Sequence, residues 1–199
     1  MSTISISDTQ IQLYLAIGLF TVVLIALIII RAKKSPPVIV QYEEVFQVEN
    51  EIYETSPYKK DPDATFDIPT LRKITLTLIT GLSEHIAKMA ESPSDQHKSM
   101  AAIAEKFESD GISPIAYTQW NQSPIQGIAA RIILNGKSRT ALFGPSVAMA
   151  KASSSFVSEI SAGVESAHSA GHSVFVLAID GLAYGAISVS HGLQEVAAA

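Results

Sequence analysis

The sequence predicts an α+β class domain, an antiparallel sheet with flanking helices, preceded by one transmembrane helix. Three observations predict it. Residues 11–30 form an uncharged apolar run closed at once by Arg31-Ala32-Lys33-Lys34, about one bilayer thickness of helix with a basic end. Two tight-turn pairs, Asn135-Gly136 and Asp180-Gly181, each stand between strand-like runs, which is the hairpin signal. The order helix, helix, strands, helix, hairpin then suggests a sheet covered on one face by helices.

The elements follow in order. Residues 1–10 are a short tail with Asp8 and no Lys or Arg. Residues 11–30 read as an uncleaved anchor rather than a signal peptide. No basic residue precedes the run, the run is too long, and RAKK stands where a cleavage site belongs. The basic flank places the C-terminal part in the cytoplasm and the tail outside, so the expected location is the cell membrane, single-pass. Ser35-Pro36-Pro37 ends the anchor helix, because proline cannot continue it. Residues 31–69 are read as a juxtamembrane tether, acidic through Glu43, Glu44, Glu49, Glu51 and Glu54, with strand-like composition around Val45–Val48.

The domain is assigned to residues 70–199. A helical stretch covers Leu71–Glu91, and Gly81 is expected to interrupt it. Ser92-Pro93 is a stop, with Ser94 and Asp95 a new helix start. Met100, Ile103, Ala104 and Phe107 mark one apolar helix face, which Gly111 caps. The clearest hairpin is Gly127–Phe143, where Ala130, Ile132 and Leu134 alternate with Ala129, Arg131 and Ile133. Residues Ser146–Ala170 predict a helix whose middle is weakened by Ser153-Ser154-Ser155. Gly171 ends it, His172–Ile179 is a strand, and Leu182–Ser190 returns after Asp180-Gly181. Residues 62–199 hold two hairpins and three or four helices, enough for one core.

Composition excludes several classes. The net charge of −5 over 199 residues, without a basic stripe carrying interleaved aromatics, argues against nucleic acid. The chain has no cysteine, hence no disulfide, thiolate nucleophile or Cys-based zinc site. The sequence contains no Walker loop, no Gly-x-Ser-x-Gly elbow and no His-Glu-x-x-His. Asp180 is explained by its hairpin turn. His168 and His172 have a ligand spacing, but Gly171 is expected to end the helix between them, so no metal site is predicted. His97 is expected exposed, and His191 has no visible partner.

The informative cluster is Ser83-Glu84-His85. Read as a helix start, it offers free backbone N–H groups and favours anions. Glu accepts from an exocyclic amine, and His stacks or hydrogen-bonds on a planar base. A plain helix cap is the bland alternative. After Ser83-Glu84-His85-Ile86-Ala87-Lys88 come Gly127-Ile128-Ala129-Ala130-Arg131-Ile132 and Asn135-Gly136-Lys137. Leu142-Phe143-Gly144, a helix, Gly171-His172-Ser173-Val174-Phe175-Val176-Leu177-Ala178-Ile179-Asp180-Gly181 and Tyr184-Gly185-Ala186-Ile187-Ser188-Val189 complete the series.

In that order the series resembles the nucleotide-binding domain of P-type ATPases, most closely the heavy-metal- and potassium-transporting branches, over about residues 71–190. The resemblance implies an adenine pocket with nucleotide-binding residues Glu84, His85 and Gly127, the last being the second glycine of a Gly-x-Gly turn. ATP or ADP is the implied ligand. Ile86 stands where the family has proline, and Ile125 where it has the first glycine. The family's Asp-Lys-Thr-Gly-Thr phosphorylation motif does not occur; Ile68–Thr77 stands at that point. The expectation is a non-transporting, non-catalytic module on a membrane tether, without phosphorylation domain or transport bundle, binding ATP or ADP weakly in a regulatory or sensing role. The alternative is a tethered protein-interaction domain that has lost nucleotide binding. Both leave the protein partner open.

Overall fold

The computed structural model describes residues 41–55, 65–89, 92–123, 127–152 and 158–196. Among them the chain order is β1 (Gln41–Tyr53), α1 (Ile68–Met89), α2 (Asp95–Ser109), β2 (Tyr117–Ser123), β3 (Gly127–Leu134), β4 (Lys137–Pro145), α3 (Ser146–Ala152), α4 (Ser158–Ser169), β5 (Ser173–Ile179) and β6 (Leu182–Val196). The chain divides into Glu43–Gln194, described below, and a second unit made of Met1–Tyr42 with Glu195–Ala199. The predicted transmembrane helix and the tail before it lie outside the described residues, as does Ile125. No helix among the described residues is long and apolar enough to cross a membrane.

The six strands form one sheet in the order β1-β6-β5-β4-β3-β2. The ladders joining β2 through β6 are antiparallel. Both predicted hairpins are present. Leu134 pairs with Lys137 across Asn135 (φ +51°) and Gly136 (φ +74°). Ile179 pairs with Leu182 across Asp180 (φ +51°) and Gly181 (φ +81°). Positive φ at both central residues is the type I′ signature, which matches the twist of the strands it joins. Asp180 also ties this turn to β4. Its Oδ1 accepts from the Thr140 N–H at 2.9 Å and its Oδ2 from Arg139 Nη1 at 3.0 Å. This acid therefore serves the sheet.

Helices cover both faces of the sheet, not one. Helices α1 and α2 pack Leu71, Ile74, Leu78, Met100, Ile103 and Phe107 against Ile128, Ile132, Phe143, Phe175 and Tyr184. On the other face, Met149 of α3 and Ile160 of α4 meet Val174, Val176 and Ala178 of β5. Strand β5 is buried from Val174 to Ile179 without alternation, because side chains on both its faces meet helices.

Helix α1 runs unbroken through Gly81. A Cβ there would lie 2.4 Å from the Trp120 indole nitrogen, and that nitrogen donates to the Leu78 carbonyl at 3.2 Å. Gly81 thus admits a close tryptophan and does not end the helix. At the start of α1, the Thr70 N–H donates to Asp67 Oδ1 at 2.9 Å, and hydrogen bonds from Thr70 hold the Asp67 carboxyl below the usual range. Helix α2 opens with a reciprocal cap: the His97 N–H donates to Ser94 Oγ and the Ser94 N–H to His97 Nδ1, both at 3.3 Å. His97 is half-buried there, not exposed as expected.

The stretch read as a tether is, from Gln41 to Tyr53, a strand beside β6. Glu51 accepts from Arg72 Nε at 2.9 Å and from Nη2 at 3.1 Å, and Tyr53 donates to the same carboxylate at 2.9 Å. Burial, then the Glu51 charge, push the Tyr53 hydroxyl well above its ordinary pKa. Arg72 also lies 5.3 Å from the Phe107 ring centre, so β1 is bound into the α1–α2 side of the core. The sheet domain therefore begins before residue 70. At its opposite edge stands β2, a strand without a sequence signal. Its residues Tyr-Thr-Gln-Trp-Asn-Gln-Ser are largely polar, and its pairing with β3 shifts register between Thr118 and Asn121.

Candidate functional site

Ser83, Glu84 and His85 do not begin a helix. They lie well inside α1, which continues to Met89. The Ser83 hydroxyl donates back to the Ile79 carbonyl at 3.2 Å, as helix-interior serines do. Amides at these positions belong to the helix ladder and are not free to meet an anion. Apolar burial explains the continuity: Ile79 and Leu82 are 1% and 3% exposed, and the chain must stay helical to keep them against the sheet. Glu84 is exposed, and His85 is half-buried with its ring tilted against Trp120 at 5.3 Å between centres.

Gly127 opens β3 at φ +87°. A Cβ on it would lie 2.4 Å from the Phe143 carbonyl oxygen and 2.6 Å from Gly144 Cα. The missing side chain is thus required first by the approach of β4. Gly127 also borders a cavity of about 220 Å³ shared with Leu82, Ser94, Gln96, His97, Met100, Gln122 and Ile128. This cavity lies between α1, the start of α2 and the β2–β3 end of the sheet. Of the three predicted binding residues only Gly127 lines it. Glu84 and His85 follow Leu82 within one helical turn. Sequence reasoning missed Leu82, His97, Met100 and Gln122 as lining residues. Met100 reads as one more apolar face position and His97 as an exposed residue of a helix start, and neither signal alone announces a pocket.

Gln96 borders a second space, an open cleft of about 330 Å³ lined also by Phe46, Asp95, Ser146, His168, His172, Ser173 and His191. Small-molecule sites usually enclose about 300–1,000 Å³. The first cavity falls below that range, and the cleft falls at its lower end. A larger open groove of about 810 Å³ lies between α3 and α4 and meets the cleft at Ser146, Val147 and His168. Its remaining walls, including Ala150 and Val164, include none of the predicted site residues. In it Ser146 Oγ and His168 Nε2 stand 2.8 Å apart. The pair has the distance of a nucleophile and its base, yet among the described residues no carboxylate bonds His168 to complete a triad, and Ser146 is 4% exposed. No group of three or more His, Asp or Glu among the described residues is placed to hold a metal ion.

No family model matches the chain, and no curated protein matches it by sequence. Solved structures do match in fold. One structure of a zinc-transporting PIB-type ATPase aligns at a TM-score of 0.53 and 13% identity, over 75% of this chain and 19% of that one. A structure of a zinc-transporting PIB-type ATPase in another state aligns at 0.52 and 14%, with the same coverage. The N-domain of HMA8, a copper-transporting P-type ATPase, aligns at 0.47 and 14%, over 72% of this chain and 99% of that one. The chain spans about a fifth of the zinc-transporting ATPases it matches. The P-type ATPase resemblance carried by the sequence motifs is thus present in the fold.

Proposed function

We propose that this chain is a membrane-anchored, non-transporting module that binds adenine nucleotide weakly and serves a sensing or regulatory role. The observation that carries the reading is the cavity at Gly127, flanked by α1 and α2 on a P-type ATPase-like fold. In this reading the base enters the cavity beside Gly127. His85 and Glu84 are the other two base partners that the resemblance implies, with Glu84 accepting from the exocyclic amine. Because no helix end supplies free amides at Glu84, affinity is expected between millimolar and high micromolar, about −4 to −6 kcal/mol. Titrating the full chain with ATP and ADP, followed by NMR, tests it. Gly127 and Ile128 should shift, and Glu84→Ala should weaken binding beyond detection. That substitution removes a charge-assisted bond of about 1.5–3 kcal/mol, most of what such a site has. Shifts confined to other surfaces, or binding indifferent to Glu84→Ala, would sink this placement.

The interaction-domain reading has one observation in its favour: Ser83-Glu84-His85 is helix interior and offers no anion-binding end. No response at millimolar ATP would select it.

The anchor belongs to the same proposal. Its support is the uncharged run at 11–30 followed by Arg31, Lys33 and Lys34. Protease added to intact cells should leave the domain after residue 35 uncut. Digestion from outside would reverse the orientation and remove access to cytoplasmic nucleotide.

A further inference from the structure

Three histidines border the cleft that Gln96 shares with the Gly127 cavity. They come from separate places in the chain. His168 lies near the end of α4, His172 in the turn before β5, and His191 on β6. His191, for which the sequence offered no partner, stacks on Phe46 at 4.4 Å between centres and an interplanar angle of 3°. That stacking covers one face of the imidazole. Ser146, Ser173 and Gln96 border the same space, and the Ser146 hydroxyl is held by His168 Nε2 at 2.8 Å. The donor set is neutral or cationic imidazole, hydroxyl and amide, the chemistry that meets phosphate oxygens.

We propose that this histidine-lined cleft receives the phosphate groups of the nucleotide whose base lies beside Gly127. The inference rests on the nucleotide reading above. It adds a determinant that the sequence resemblance did not supply, since the implied site was Glu84, His85 and Gly127 alone.

Asp95 borders the cleft and opposes an anion. Lys98 Nζ stands 3.4 Å from Asp95 Oδ1, pairs with Glu44, and lies 5.8 Å from the Phe46 ring centre, so on that side one lysine faces two acids. Glu165 lines the adjoining groove one turn before His168. The histidines are therefore the groups in the cleft that an anion would meet favourably.

The experiment uses the full chain in detergent and compares adenosine, ADP and inorganic pyrophosphate, read by NMR at Gly127 and at the histidine rings. ADP should bind about tenfold more tightly than adenosine, the factor that about 1.4 kcal/mol supplies. His172→Gln with His191→Gln should remove it while leaving adenosine binding unchanged, and pyrophosphate alone should shift the three histidine rings. Equal binding of ADP and adenosine, with Gly127 still responding, would overturn the phosphate cleft and leave the base site standing. Pyrophosphate binding without any adenosine response at Gly127 would overturn the joint proposal, because the cleft would then hold an anion unrelated to a nucleotide. Silence of the histidine rings toward both ADP and pyrophosphate would also overturn it.

Discussion

Gly127→Ala is expected to destabilise the domain by about 2–5 kcal/mol. Two effects add. A non-glycine residue at φ +87° costs about 1–2 kcal/mol. Its Cβ would also meet the Phe143 carbonyl oxygen at 2.4 Å and Gly144 Cα at 2.6 Å, and forcing backbone apart in a packed sheet costs about 1–3 kcal/mol more. For a chain of this length the thermal midpoint should fall by roughly 5–15 °C. Gly136→Ala is the control. Gly136 has φ +74° with nothing within 4 Å of its Cβ position, so that substitution should cost the backbone term alone. Equal losses at the two sites would show that β4 does not press on Gly127. The comparison also bears on function, since a binding defect in Gly127→Ala cannot be assigned to the pocket until its stability is known.

Phe143→Ala should cost about 3–5 kcal/mol, the range for removing a buried phenyl ring. Phe143 is 0% exposed and stacks on Phe175 at 5.8 Å between centres. It pairs in register with Ile128 on one side and Leu177 on the other, so it joins both halves of the sheet beneath α1 and α2. Denaturant unfolding should show a lower midpoint with an unchanged slope. A loss under about 1.5 kcal/mol would mean that neighbouring side chains collapse into the space and that this part of the core is loosely packed.

Local chemistry was legible where it is short-range. Asn135-Gly136 and Asp180-Gly181 announced their turns because type I′ geometry admits few residue pairs. The Met100, Ile103, Phe107 stripe announced α2 because one helix face repeats every three or four residues. The candidate site was legible only in part. Gly127 was found through its place in a motif, but its wall partners Leu82, His97 and Gln122 come from three elements and share no spacing in the chain. The histidine cleft was missed for the same reason: His168 and His172 read as histidines without a metal and His191 as one without a partner, and only the tertiary structure brings them to one space.

The sequence by itself determined the two hairpins, the helix at α2, the absence of cysteine chemistry and of a phosphorylation motif, and the order of motifs that resembles a P-type ATPase domain. Each of these depends on neighbours in the chain or on residue types alone. The tertiary structure decided what depends on partners distant in sequence. Gly81 does not break α1: its missing side chain admits Trp120, whose indole N–H donates to the Leu78 carbonyl. Ser83-Glu84-His85 is helix interior, because Ile79 and Leu82 must remain against the sheet. The strand-like stretch at Val45–Val48 extends to Gln41–Tyr53, because Arg72 and β6 receive it. Helices cover both faces because β5 is apolar on both, and a strand buried on each side needs a layer on each side.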